Sequence, residues 1–251
     1  MGIIVSANPE VKALRGLHLY HFSGSNSSQK VRICLDEKGL AWTSHPIDLE
    51  RSEHVDPRYL AVNPKAQVPA MVLDGTVIVE SNDIIEYLDR SFPDPPLRPA
   101  DPMALDLMYR WLALWDTIQP SLKALSYASL FRRRAAEIKG RLASYAAALR
   151  DRNDELLEFL REFVSERGLG AERIAAARVA VDDALAKLDV HLRVYEWLAG
   201  DAFSLADIAW AVDVHRFELI GFPMEEFEAL ALWHASMKER PSFRRMVLEY
   251  G

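Results

Sequence analysis

Residues 63–93 read NPKAQVPAMVLDGTVIVESNDIIEYLDRSFP, and the punctuation within them decides the fold. Two apolar runs flank Asp74-Gly75, a pair that accepts positive φ and so predicts a tight hairpin turn. Val68-Pro69 opens the first run, at the start of a strand that should be central, where a residue without an N–H is out of place. Two readings fit: an ordinary trans proline at a strand start, or a cis peptide that turns the N–H and C=O of Val68 outward to a ligand. The second run ends at Glu80-Ser81, where a helix begins. Ser81 is expected as its side-chain cap, Asp83 lies in its first turn, and Ile84, Ile85 and Leu88 form its apolar side.

Upstream, LHLYHF (Leu17 to Phe22) is rich in strand formers. A helix follows, with Val31, Cys34, Leu35 and Lys38 at helical spacing and Gly39 as a left-handed stop. WTSHPIDL reads as a second strand. The order β-α-β, a connection, then β-β-α implies a mixed four-stranded sheet with helices packed on it. Downstream, FPDPPLRPADP (Phe92 to Pro102) carries five prolines and marks the boundary. We place one domain at 17–93, a linker at 94–102 and an all-helical domain at 103–251. Within the latter, Leu105, Met108, Tyr109 and Leu112 repeat at helical spacing until Pro120 is expected to break or kink the helix. Residues 132–167 are rich in Ala, Leu, Glu and Arg without proline, which predicts long charged helices. Ser204-x-x-Asp207 reads as a capping box, with Phe203 and Ile208 as its staple.

Half of the 251 residues are hydrophobic, enough for a sizeable core, and the net charge of −7 argues against a nucleic-acid partner. A single cysteine excludes an intramolecular disulfide framework and fits a cytoplasmic location. No apolar run reaches the roughly 20 residues of a membrane span, and the scattered histidines predict no metal site.

Two helix starts carry the chemistry. Ser25, Asn26, Ser27 and Ser28 crowd the first, offering hydroxyl and amide donors beside free N–H groups. At the second, Glu80 can accept from an ammonium while the N–H groups after it hold a carboxylate, a pairing that suits an α-amino acid group.

Taken together, Val-Pro, the Asp-Gly hairpin, Glu-Ser at a helix start, the proline spacer and FSLADIAW resemble the cytosolic glutathione S-transferases, over residues 17 to 250. The resemblance implies a thioredoxin-like domain followed by a helical domain, glutathione as co-substrate, and no metal. It further implies that Gln67 and Val68, the latter joined to Pro69, grip the cysteinyl backbone. Glu80 and Ser81 would hold the γ-glutamyl group, and His54 would reach the glycyl end. HFSGSNSSQKVR is similar to the serine-type branches and, with LRPADP, to bacterial glutathione-dependent β-etherases that cleave lignin-type aryl ethers. Ser25 and Ser28 are the candidate thiol activators, with Asn26 and Ser27 as neighbouring donors. A hydrophobic aromatic second substrate would lie against Trp111, Trp115 and Tyr127. Reductive dehalogenation, general conjugation and a low-activity regulatory role are the alternatives. The family likeness also implies a dimer, with itself or with a homologue.

Overall fold

The computed structural model describes residues 2–4, 6 and 8–250. The strand-bearing part runs β1 (Gly2–Ile4), α1 (Pro9–Ala13), β2 (Leu17–His21), α2 (Asn26–Glu37), β3 (Thr43–Pro46), α3 (Pro57–Leu60), β4 (Ala70–Leu73), β5 (Thr76–Val79) and α4 (Ser81–Ser91). Helices alone follow: α5 (Pro102–Ala128), α6 (Ala135–Leu149), α7 (Asp154–Phe163), α8 (Ala171–Leu192), α9 (Leu205–Leu219), α10 (Glu228–Glu239) and α11 (Pro241–Phe243).

The hairpin forms where the sequence puts it. Asp74 and Gly75 take φ of 48° and 82°, the positive pair that such a turn requires, and Leu73 faces Thr76 across it. Alternation then sorts the side chains. Leu19, Met71 and Ile78 are buried toward α2 and α4, while Ala70, Val72, Val77 and Val79 are buried with Val11, Tyr59 and Val62 on the other face. Both faces are covered, so both registers of β4 and β5 are apolar. The sheet order is β1-β5-β4-β2-β3, with β2 and β3 parallel and the other pairs antiparallel.

Three expectations are corrected. The sheet has five strands rather than four, because Gly2–Ile4 pairs with β5 and the Gly2 N–H donates to the Asp83 carboxylate. Such a strand is too short to show periodicity. Helix α5 continues through Pro120: the ring removes the donor to the Asp116 carbonyl, but buried Trp115, Ile118 and Leu122 hold the helix on both sides. Ser81 is the first helical residue rather than the cap. Glu80 precedes the helix at φ 63° and ψ 114°, without a side-chain capping bond.

The proline-rich connection is pinned rather than free. Buried Asp89 accepts from Lys38 at 2.7 Å, from Arg98 at 3.0 Å and from the Leu97 N–H at 2.8 Å. The Leu97 carbonyl in turn accepts from the Leu205 N–H at the start of α9.

Arg32 closes the chain's far end onto the sheet. Fully buried, it donates to the carbonyls of Phe22, Ser23 and Met246 and to His21 Nδ1, with the Tyr250 ring 4.1 Å from its guanidinium. Because Arg32 can only donate, His21 Nδ1 must accept, and Nε2–H donates to Ser44 Oγ at 2.8 Å. Burial first, then Arg32 and His45, push His21 down to about 4. The folded value lies below the free one, so the unfolded chain binds the proton that the native state rejects. This contribution is fully present above the free value of about 6.5 and is lost as pH falls toward 4. We expect urea unfolding at pH 4.5 to show about 2–3 kcal/mol less stability from this group than at pH 7. His21→Gln, which keeps one acceptor and one donor, should flatten that slope.

Candidate active site

One cavity of about 550 Å³ lies between the strand-bearing part and the helices, within the usual size of a small-molecule site. Ser25, Asn26, Ser27, His54, Gln67, Val68, Pro69, Glu80, Ser81, Trp115 and Tyr127 all line it. Ser28 and Trp111 do not.

At the start of α2, Ser25 is the N-cap, and its Oγ accepts from the Ser28 N–H at 3.3 Å. Its own hydroxyl hydrogen stays available. Ser28 is fully buried, and its Oγ accepts from the Phe22 N–H, which turns it under the loop and away from the cavity. The Asn26 amide donates to Asp213 Oδ1 at 3.0 Å and to the Val212 carbonyl at 3.2 Å. That engagement leaves the side-chain Oδ1 and the backbone. Among the described residues the N–H groups of Asn26 and Ser27 have no partner, as expected of a first helical turn.

The second helix start lies across the cavity. Ser81 begins α4, and the half-exposed Glu80 carboxylate meets Lys65 at 2.7 Å. The peptide Val68-Pro69 is cis, and the Gln67 carbonyl is held by Tyr59 Oη and by Asn63 Nδ2 at 2.8 Å. His54 is buried against Tyr145, and its Nδ1 has no partner among the described residues. Burial, with Arg134 adding to it, pushes this imidazole down to about 4, so it is neutral at pH 7.

Helices α6 and α7 roof the cavity. Tyr145 shares a 3.0 Å hydrogen bond with Ser52, Arg141 donates to the Glu50 carbonyl at 2.8 Å, and Asn153 donates to the Lys65 carbonyl at 3.0 Å. Tyr127 is enclosed by Phe131, Phe159 and Phe163 at centroid distances of 5.3, 5.0 and 4.9 Å. Trp115 donates to the Ala209 carbonyl and carries the Lys30 ammonium 3.3 Å from its ring centroid. Trp111, one turn before it, instead packs on His191 and Trp210, outside the cavity.

A buried polar network under the site was not foreseen. Asp213 on α9 accepts from Gln119 at 2.6 Å as well as from Asn26, and Lys30 donates to Asn82, whose amide reaches Asp116 at 2.9 Å. Burial raises the Asp213 carboxyl and lowers the Lys30 ammonium, and their mutual attraction opposes both shifts. The available signal was Asp213 and Arg216, charges set beside the apolar run 208–212 of α9. Elsewhere, His215, Glu218 and His234 bring ligand-type atoms within 4.8 Å of one another, but the Lys238 ammonium already sits 2.9 Å from the Glu218 carboxylate. Cys34 is fully buried in α2, and burial pushes its thiol far up.

Asp213→Ala strips two amides of their acceptor and leaves Lys30 without a principal counter-charge. Urea unfolding should register a loss of about 3 kcal/mol, and the double variant Lys30→Met/Asp213→Leu should recover part of it.

Residues 19–96 match the glutathione S-transferase N-terminal domain and residues 171–236 match the glutathione S-transferase C-terminal domain, together more than half of the chain. Maleylacetoacetate isomerase of Pseudomonas aeruginosa is 44% identical over 90 residues, which is 35% of this chain and 42% of that protein. Tetrachloro-p-hydroquinone reductive dehalogenase of Sphingobium chlorophenolicum is 27% identical over 90% of this chain and 93% of its own. The crystal structure of the β-etherase LigF from Sphingobium sp. strain SYK-6 superposes with a TM-score of 0.81 at 26% identity, covering 93% of this chain and 99% of that one. On the two domain matches, and on a mixed sheet joined to a helical half across a shared cavity, the chain belongs to the glutathione S-transferase family and is a glutathione transferase.

Proposed function

We propose that the protein activates glutathione at the start of α2 and directs its thiolate at a β-aryl ether, displacing a phenol from carbon. The observation that carries this reading is the arrangement at Ser25. Its hydroxyl already accepts one N–H through oxygen and lines the cavity next to the unpartnered N–H groups of Asn26 and Ser27. A free thiol titrates near 8.5, so thiolate at neutral pH needs a shift of roughly two units, or about 2.7 kcal/mol. One hydrogen bond to a charged group contributes about 1.5–3 kcal/mol and the helix start about 0.3–1 more. Ser25 with the α2 N-terminus is sufficient.

The tripeptide would lie between the two helix starts. Its γ-glutamyl carboxylate would meet Ser81, and its ammonium would compete with Lys65 for Glu80. Val68 would pair with the cysteinyl backbone beside Gln67, and His54 would face the glycyl end. The electrophile would then sit against Tyr127, under α6 and α7. The likeness to LigF across nearly the whole chain supports an aryl ether over other electrophiles. Reductive dehalogenation through a protein disulfide is disfavoured, because the only cysteine is sealed inside α2.

Incubating the protein with glutathione and a panel of racemic β-aryl ethers and chlorinated hydroquinones, while following phenol and chloride release, tests the reading. Phenol release with formation of a glutathione thioether is expected, and measurable glutathione binding without turnover of any member would sink it. Ser25→Ala should raise the pKa of bound glutathione by one to two units and slow turnover about 10- to 100-fold. Ser28→Ala should leave that pKa unchanged while lowering stability.

A further inference from the structure

Helix α5 carries a basic group into the cavity that no described residue holds by a hydrogen bond or a close ion pair. Lys123 lines the cavity seven residues beyond Asp116, about 10 Å along the helix from the polar network at Asn82. Its ammonium lies 4.3 Å from the centroid of the Phe159 ring. Among the described residues, no hydrogen bond or ion pair within 4 Å reaches it. One turn further, the Tyr127 hydroxyl also has no hydrogen-bond partner among the described residues, and burial holds it protonated by pushing it up to about 12. Arg216, on the same cavity, has a buried Nε without a partner, and its guanidinium carbon lies 5.7 Å from the Phe131 ring. Arg216 spends one Nη on the Gly24 carbonyl at 2.6 Å, and Glu155, which also lines the cavity, stays beyond ion-pair distance of Lys123, so the Lys123 and Tyr127 donors are left for a ligand oxygen to meet.

We propose that Lys123 is the catalytic acid on the electrophile side, its ammonium meeting the aryl oxygen of the bound ether and protonating it as it departs. This rests on the β-ether reading given above. Glutathione loses its thiol proton to solvent before attack. The sulfur then supplies an electron pair to carbon, the carbon–sulfur bond forms, and the carbon–oxygen bond breaks with its pair going to oxygen. That oxygen takes a proton from Nζ, and solvent restores the ammonium. Carbon, sulfur and oxygen need no external oxidant or reductant.

The surroundings suit the task. Burial pushes the Lys123 ammonium down to about 8, with Glu155 on α7 opposing and Arg173 on α8 assisting. An ammonium near 8 transfers its proton downhill to an ordinary phenoxide, whose conjugate acid titrates near 10 like tyrosine, and remains largely protonated at pH 7.

The test compares wild type, Lys123→Met and Lys123→Arg on β-aryl ethers whose leaving groups run from 4-nitrophenol to 4-methoxyphenol. For Lys123→Met, kcat should fall about 100-fold with 4-methoxyphenol and little with 4-nitrophenol, which leaves without help. Lys123→Arg keeps the charge but does not release a proton, so KM should stay near wild type while kcat stays low for 4-methoxyphenol. The alkaline arm of the wild-type kcat profile near pH 8 should be absent in both variants. Titration of bound glutathione by thiolate absorbance should be unchanged in both, which reports a folded and occupied site. An active wild type whose variants match it, or lose the same factor with every phenol, overturns the role of Lys123 alone. A wild type that binds glutathione but releases no phenol overturns the β-ether reading and this role together.

Discussion

Asp213 is fully buried, and its carboxylate is met by groups from two other helices. Asn26 comes from the first turn of α2, Gln119 from the middle of α5, and Lys30 supplies charge through space from within α2. Charged hydrogen bonds of about 1.5–3 kcal/mol each are set against several kcal/mol for burying the ion, so the arrangement contributes little net stability. Its yield is position. The bonds fix how the first turn of α2 stands against α5 and α9, and that spacing helps to set the width of the cavity.

Asp213 can do this only because its own helix is held at the root. Asp207 is buried at the start of α9 and accepts from the N–H groups of Leu198 and Ser204, the Ser204 hydroxyl and Trp233 Nε1. Asp89 anchors the proline-rich connection, whose Leu97 carbonyl bonds the first residue of α9. Each carboxylate faces backbone N–H groups at a joint between elements. Register therefore passes from the end of α4, through residues 92–101, to α9 and back across to α2, along bonds that a shift of one residue would break.

The sequence displayed the parts of this scheme that depend on local chemistry. Asp74-Gly75, the alternating apolar strands around it, Gly39 after α2 and the Ser204–Asp207 box each act over a few residues, and each signal carries its own physical cause. What stayed hidden depends on distant packing. Nothing near Pro120 announces that buried neighbours will carry α5 through it. Nothing in SNSSQK distinguishes Ser25 from Ser28, since the distinction is which hydroxyl the Phe22 N–H captures. Trp111 and Trp115 lie four residues apart, yet one faces α8 and the other the cavity, because the face of α5 is set by helices that come about 60 residues or more later. Lys123 looks like any surface lysine until α7 brings Phe159 over it.

The two ends of the cavity are built from different materials, with a functional consequence. The end proposed for glutathione is lined by backbone at two helix starts and at Val68, groups whose direction is fixed once the sheet is formed. Any tripeptide bound there meets the same donors at the same angles. The other, aromatic end is lined by side chains from α5, α6, α7 and α9, and its roof is tied to the strand-bearing part by Tyr145, Arg141 and Asn153 on Ser52, Glu50 and Lys65. Two of those ties, at Ser52 and Glu50, rest on the segment that carries His54, two residues from Ser52. The roof of the aromatic end and the wall beside His54 therefore share one support. A site built this way would hold a thiol in one geometry while the aromatic end varies with a few side chains, a division of labour that suits the displacement proposed above.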